Sequence, residues 1–175
     1  IIKHANPCGV SSNKSAFQSF LNAQASDPVS AFGGIVACSF KINNKIAQEI
    51  NKTFFEVILA KGFDKKALRV LKKKKNMRVI DISKFNYESA TTGKFFDNSF
   101  LLQEKDNLVF DKKKLKCVTK NKPSGKEYKD IEFAFGVCKY VKSNAIVIVK
   151  DNSTIGIGAG QQSRLDSCKI ATQKA

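Results

Sequence analysis

Apolar and polar positions follow two rhythms that alternate along the chain. Between Ser15 and Ala25 the apolar residues Ala16, Phe17, Phe20, Leu21 and Ala25 recur at helical spacing, with Ser11–Asn13 offering caps ahead of them. Ser26-Asp27-Pro28 breaks this helix, because the residue before a proline avoids helical backbone. Gly34–Phe40 then reads as a buried strand. A helix over Lys45–Thr53, capped by Asn43 or Asn44, puts Ile46, Ile50 and Phe54 on one face. Glu56–Ala60 is a second strand, ended by Lys61-Gly62; Asp64 caps a helix to about Lys73, and Arg78–Ile82 is a third strand. Ile1–Lys3 reads as a strand end. Residues 83–124 are less regular, with edge strands at Phe100–Gln103 and Lys116–Thr119 and a polar turn at Lys120–Gly125. Glu127–Val141 is a helix, since Ile131, Ala134, Phe135, Cys138 and Val141 share a face. Ala145–Lys150 and Thr154–Gly158 are strands across the turn Asp151–Ser153; a Gly-rich loop and a last helix from about Ser163 follow. Strands alternating with helices predict an α/β fold whose sheet is covered on both faces.

A chain of 175 residues, 42% of them apolar, can bury a real core. Its longest apolar runs, such as Ala145–Val149, are too short to span a bilayer, so no membrane contact is expected. The opening residues have no signal-peptide order, and Ile1 begins directly in strand and motif, so the chain is expected to be part of something longer. The net charge of +16 admits a nucleic-acid surface. However, only Arg69, Arg78 and Arg164 supply the fork that reads bases and phosphates, and the aromatic residues fall at core-like spacing. Solvated lysine faces with a general attraction for small anions fit better, and no nucleic-acid partner is expected. Cys8, Cys38, Cys117, Cys138 and Cys168 are odd in number and contain no C-x-x-C pair, as in a reduced cytosolic protein.

Four stretches carry candidate chemistry. In Lys3-His4-Ala5-Asn6-Pro7-Cys8-Gly9, His4 is the only histidine, and an imidazole is the side chain type suited to proton transfer near neutrality. Lys3 beside it would disfavour the charged imidazolium. A plain surface histidine is the alternative. A zinc deaminase site would need a glutamate where Asn6 stands and a second cysteine after Cys8, so no zinc is expected. In Asp27-Pro28-Val29-Ser30-Ala31-Phe32-Gly33-Gly34, the glycines permit close approach of a ligand or merely a tight turn. In Lys142-Ser143-Asn144-Ala145, the Asn144 amide can read a heterocycle edge or cap a strand. In Gly156-Ile157-Gly158-Ala159-Gly160-Gln161-Gln162-Ser163-Arg164, a Gly-rich turn before a helix offers N–H groups to an anion, with Arg164 as a fixed cation. Gln161 stands where a dinucleotide fingerprint needs its third glycine, and no Gly-Lys-Ser/Thr follows for a phosphate loop.

KHANPCGV, SDPVSAFGG, KSNAIVIVKD and IGIGAGQQSRLDS, in this order, closely resemble the formyl-transferase domain of the bifunctional purine-biosynthesis family, which joins 5-aminoimidazole-4-carboxamide ribonucleotide (AICAR) formyltransferase to IMP cyclohydrolase. FFEVILAKGF and CVTKNKPS are similar too, so the resemblance covers essentially the whole chain. It implies a three-layer αβα fold like that of cytidine deaminase, without the zinc. Residues 1–175 would form part of the transferase domain, mainly its first subdomain, with the second subdomain and the cyclohydrolase domain absent. The implied reaction moves a formyl group from 10-formyltetrahydrofolate to the 5-amino group of AICAR, in a cytoplasmic homodimer with active sites at the subunit interface. By motif match His4 would accept the proton and Lys3 would stabilise the transition state; Gly33, Glu56, Asn144 and Arg164 would contact the nucleotide, and Leu165 would border the folate. Two departures stand out: Lys61 replaces a usual proline, and Thr92–Leu102 lacks the usual Gly-Gly and arginine pattern. An inactive portion of such an enzyme would carry the same motifs. One geometric demand follows from strand alternation: for Lys3 and His4 to face one substrate, they must sit at a strand end or an irregularity.

Overall fold

In the computed structural model, which describes residues 1–86, 91–107 and 110–175, short polar side chains start most of the helices. Ser15 accepts the Gln18 N–H at 3.3 Å and opens α1 (Ala16–Ala25). Asp27 accepts the Ser30 N–H at 2.9 Å and starts α2 (Pro28–Ala31), one turn with proline at its beginning. Asn43 accepts the Ile46 N–H at 3.0 Å before α3 (Asn44–Ile50). At α4 (Lys65–Leu71) the Asp64 carboxylate turns instead to Lys41, at 2.7 Å. Ser124 and Glu127 form a reciprocal capping box at α5 (Gly125–Cys138), and Ser163 accepts the Asp166 N–H at 3.4 Å in front of α6 (Arg164–Lys174). Each such cap stabilises its helix by about 1 kcal/mol.

β1 (Ile2–Lys3), β2 (Asn6–Pro7), β3 (Ile35–Cys38), β4 (Val57–Ala60) and β5 (Arg78–Asp81) form one sheet in the order β2-β1-β3-β4-β5. β3, β4 and β5 are parallel, with α3 and α4 as their crossovers, while β1 runs antiparallel to both of its neighbours. Strand alternation sends Val36, Cys38, Ile58, Ala60 and Val79 into a core completed by Phe20, Ile46, Ile50, Ala67 and Leu71 of the helices. Phe55 is fully buried there and meets Phe20 edge-on, ring centroids 6.2 Å apart. The other face carries the rows Ile35–Val57–Arg78 and Ala37–Leu59–Ile80. Among the described residues this face has no comparable cover: Ala37 is exposed and Ile80 is 44% exposed.

The second half is built on a hairpin. After β6 (Thr91–Phe96) and β7 (Ser99–Glu104), β8 (Ile146–Lys150) pairs antiparallel with β9 (Ser153–Gly158). β9 adjoins the chain leaving β2: Ser11 bridges Ser153, and the Thr154 N–H donates to Val10 O at 2.9 Å. α5 and the turn after it cover one face of β8–β9, packing Val137 of the helix and Val141 beyond it against Val147 and Ile157. α6 covers the other, seated on Gly156 and Gly158, where a Cβ would collide with the Ala171 and Ser167 carbonyls. The chain is thus α/β with a mixed sheet. Helix–sheet–helix layering holds around β8–β9, whereas among the described residues β3–β5 have helices on one face.

Several sequence expectations need correction. Lys116–Thr119 forms no strand; it lies in irregular chain after a 3-10 turn at Lys112–Lys114, without a neighbouring strand to pair with. Phe100–Gln103 does form a strand, the middle of β7, but it pairs with β6, which the sequence reading left irregular, and every residue of that hairpin is exposed. Its Phe95 and Phe100 rings pack mainly on each other, centroids 6.2 Å apart. Ser26-Asp27-Pro28 ends α1 but also begins α2. Tyr87–Ala90 and Leu108–Val109, inside the stretch that reads as irregular, lie outside the described residues.

Candidate active site

The first motif folds back on itself. Lys3 pairs with Asn6, leaving His4 and Ala5 as a two-residue loop with φ of 52° and 60°. Two consecutive left-handed residues between antiparallel strands make a type I′ turn, which normally selects asparagine and glycine. A residue with a Cβ costs ~1–2 kcal/mol in that region, so this turn stores strain. It also supplies the irregularity that the motif requires. The strand ends at Lys3, the turn begins at His4, and both line one cavity of about 460 Å³ together with Asn6, Cys8, Gln161 and Lys174. The Lys3 ammonium donates to the Phe32 carbonyl at 2.8 Å, which leaves two of its three N–H groups for a ligand.

Backbone and side-chain hydrogen bonds draw the four motifs together. Lys3 to Phe32 O joins the first to the second. The Lys142 N–H donates to Asn6 Oδ1 at 3.0 Å, joining the first to the third. The Asn144 amide donates to Gln161 O at 2.9 Å and Gln162 O at 2.8 Å, joining the third to the fourth. Both amide hydrogens of Asn144 are therefore committed, and Oδ1 is the atom it offers to a ligand. Gly33, at φ 71°, donates to Phe54 O at 2.8 Å, and the Glu56 N–H donates to Gly34 O at 3.0 Å. Gly33 and the exposed Glu56 side chain thus stand at the same sheet edge as Lys3, where β3 and β4 begin. Arg164 and Leu165 occupy the first turn of α6, exposed and outside the lining of the Lys3–His4 cavity.

The Gly-rich stretch divides between a strand and a turn, as the strand expected over Thr154–Gly158 implies. Gly156 and Gly158 lie within β9, where they let the backbone of α6 approach; only Gly160, at φ 67°, belongs to the turn, and its N–H donates to Lys142 O at 2.7 Å. The structure also adds residues that the motif reading passes over. Phe32 presents its carbonyl to Lys3 and a ring that is 57% exposed. Asp27 and Lys174 pair at 2.6 Å within the cavity lining. Asp27 before Pro28 carries a helix-start signature that could have pointed to it, whereas nothing near Lys174 marks it in the sequence.

Burial favours protonation of the Asp27 carboxyl, but the hydrogen bonds from Lys174 and Ser30 outweigh it and hold its pKa below the ordinary value. Burial pushes the Cys8 thiol up and drives that of Cys38 to about 11, so neither is a ready nucleophile. Among the described residues no three His, Cys, Asp or Glu side chains cluster in a way that could hold a metal ion, and no helix is long and apolar enough to cross a membrane.

Comparison with known proteins agrees with the motifs. Residues 1–174 match the model of the AICARFT/IMPCHase bienzyme family. The chain is 46% identical over 175 residues to the bifunctional purine biosynthesis protein PurH of Aquifex aeolicus, and 48% identical over 177 residues to PurH of Brucella ovis. PurH of Thermoanaerobacter sp. is 44% identical over 174 residues. Each alignment takes in 99–100% of this chain but 33–34% of the relative, so the chain spans about a third of the length of these proteins. With the match running from its first residue to its last but one, the chain belongs to the AICARFT/IMPCHase bienzyme family.

Proposed function

We propose that this chain supplies the proton acceptor and the oxyanion-stabilising cation for transfer of the formyl group of 10-formyltetrahydrofolate to the 5-amino group of AICAR. The carrying observation is that Lys3 and His4 line one cavity through a strained turn. The AICAR amine is a weak nucleophile, because its lone pair is delocalised into the imidazole and carboxamide. As its nitrogen attacks the formyl carbon, His4 takes the amine proton. The carbonyl π electrons move onto oxygen, and the Lys3 ammonium, already oriented by Phe32 O, stabilises the resulting oxyanion. Collapse re-forms the carbonyl and breaks the bond to the folate nitrogen, which takes up a proton in exchange for the one the His4 imidazolium gives up, so that base and proton count are restored. Gly33, Glu56, Asn144 through Oδ1, and Arg164 contact the nucleotide; Leu165 borders the folate.

The chain is, on this reading, part of the transferase domain, mainly its first subdomain, in a cytoplasmic homodimer. The reaction needs no zinc. Family-length relatives extend well beyond these residues, and the missing contacts make the 175-residue chain alone a much weaker catalyst, because near-attack positioning supplies much of the rate. The test is formyl transfer to AICAR by the chain extended to full family length. His4→Ala is expected to lower turnover ~100- to 10,000-fold. Near-normal turnover in a folded His4→Ala protein refutes the assignment.

A further inference from the structure

We infer that Asp27 and Lys174 are a positioning pair for this site, which ties the one-turn helix α2 to the last turn of α6 and so fixes the carbonyl that holds the Lys3 ammonium. α2 has four residues, too few to stand by helical hydrogen bonding alone. What holds it is Asp27. Its carboxylate accepts the Ser30 N–H at 2.9 Å through Oδ1 and the Lys174 ammonium at 2.6 Å through Oδ2, and its carbonyl accepts the Ala31 N–H at 3.0 Å. Immediately beyond the helix, Phe32 O accepts from Lys3 at 2.8 Å. α2 is therefore a bracket with Asp27 at one end and Lys3 at the other.

Lys174 gives this bracket a firm anchor. It projects from a helix whose backbone is pressed against β9 at Gly156 and Gly158, and the first turn of the same helix carries Arg164. The pair thus sets the spacing between the Lys3 side and the α6 side of the cavity, and both of its members line that cavity. The Asp27 side chain is 9% exposed, where a carboxylate without its cation is strongly disfavoured. The inference depends on the formyl-transfer reading for its kinetic consequence and on geometry alone for its effect on Lys3.

Two measurements separate these dependences. In the 175-residue chain, the acetylation rate of Lys3 is followed by peptide mass spectrometry, with Lys41, held by Asp64, as internal control. Lys174→Met removes the charge at similar length. Asp27→Asn keeps an acceptor for Ser30 and loses the ion pair. Either is expected to raise Lys3 reactivity about threefold or more, the scale of one released hydrogen bond, without changing Lys41. Lys174→Arg is expected to preserve the parent rate, and the double variant D27N/K174M to add nothing to the singles. Unchanged Lys3 reactivity in Lys174→Met, or an equal rise at Lys41, overturns the inference.

In the family-length protein, Lys174→Met is expected to lower kcat about tenfold while KM for AICAR stays within about threefold, with Lys174→Arg restoring kcat. A kcat within about twofold of the parent overturns the positioning role in turnover. If the family-length parent transfers no formyl group to AICAR, the formyl-transfer reading fails instead, and Lys3 reactivity alone decides the inference.

Discussion

Replacing Gly158 with alanine tests the seat of α6 most directly. The added Cβ would meet the carbonyl oxygen, carbonyl carbon and Cα of Ser167, all backbone atoms of α6, so no rotamer change relieves the contact. Restoring an ordinary carbon–oxygen separation of about 3.3–3.6 Å requires the helix to lift by roughly 1.5 Å. A gap of ~0.5–1 Å forfeits a quarter to a half of the dispersion energy of each contact along the seam. Overpacking a tight site costs ~1–3 kcal/mol, and a clash of backbone with backbone belongs at about 3 kcal/mol. For a chain of this size that lowers the melting temperature by roughly 6–12 °C. The matched control is Gly136→Ala inside α5, where a Cβ meets nothing within 4 Å. Alanine is the better helix former there by about 0.5–1 kcal/mol, so this variant is expected to melt higher by roughly 1–4 °C. Thermal and urea unfolding of both variants against the parent provides the assay. Gly158→Ala within about 0.5 kcal/mol of the parent would show that α6 does not rest on β9 as described.

The strained turn and the buried thiols give two further expectations. Ala5→Gly relieves a left-handed alanine at φ 60°, so it is expected to stabilise the fold by about 0.5–1 kcal/mol after glycine's extra unfolded-state entropy; an equal loss in urea unfolding would contradict the type I′ assignment. In the folded chain at about pH 8, a thiol reagent is expected to modify the exposed Cys138 and Cys168 early and Cys38 last, since a thiol raised to about 11 is roughly one part in 1,000 thiolate; Cys38 reacting as fast as Cys168 would refute its burial.

Where an element is specified by neighbours in sequence, it was legible. α1, α3 and α5 each place apolar side chains at helical spacing, and Asn43 also marks the start of α3; both signals are local, although the cap of α1 is Ser15 rather than one of Ser11–Asn13, and Ser124 of α5 was read only as part of a polar turn. The parallel strands between α3 and α4 follow from their order alone. A strand, by contrast, exists only where a partner accepts its hydrogen bonds. Lys116–Thr119 has strand-like residues and no neighbour to pair with, so it stays irregular. Of the β6–β7 hairpin, β7 was legible at Phe100–Gln103 and β6 was not: adjacent Phe95-Phe96 disrupts simple apolar alternation, although the Asp97-Asn98 turn, with Asp97 at φ 42°, is a local cue.

The same distinction runs through the candidate site. The adjacency of Lys3 and His4 showed that an irregularity was needed, but not its form, because His-Ala lacks the glycine or asparagine that announces a type I′ turn. In Gly156-Ile157-Gly158 the strand itself was legible, whereas the helix that rests on its glycines comes later in the chain and left no mark there. Glycines two apart fall on one face of a strand, so a flat surface for a helix is their natural use, while Ile157 between them enters the core on the other face. Asp27 and Lys174 lie 147 residues apart, and an ion pair at that separation leaves no local pattern. Their pairing depends on α6 returning across β9 to the start of α2, and that return is possible because the two glycines let α6 lie close. The two glycines of β9 thus act on the site at a distance: by seating α6 they bring Lys174 to Asp27.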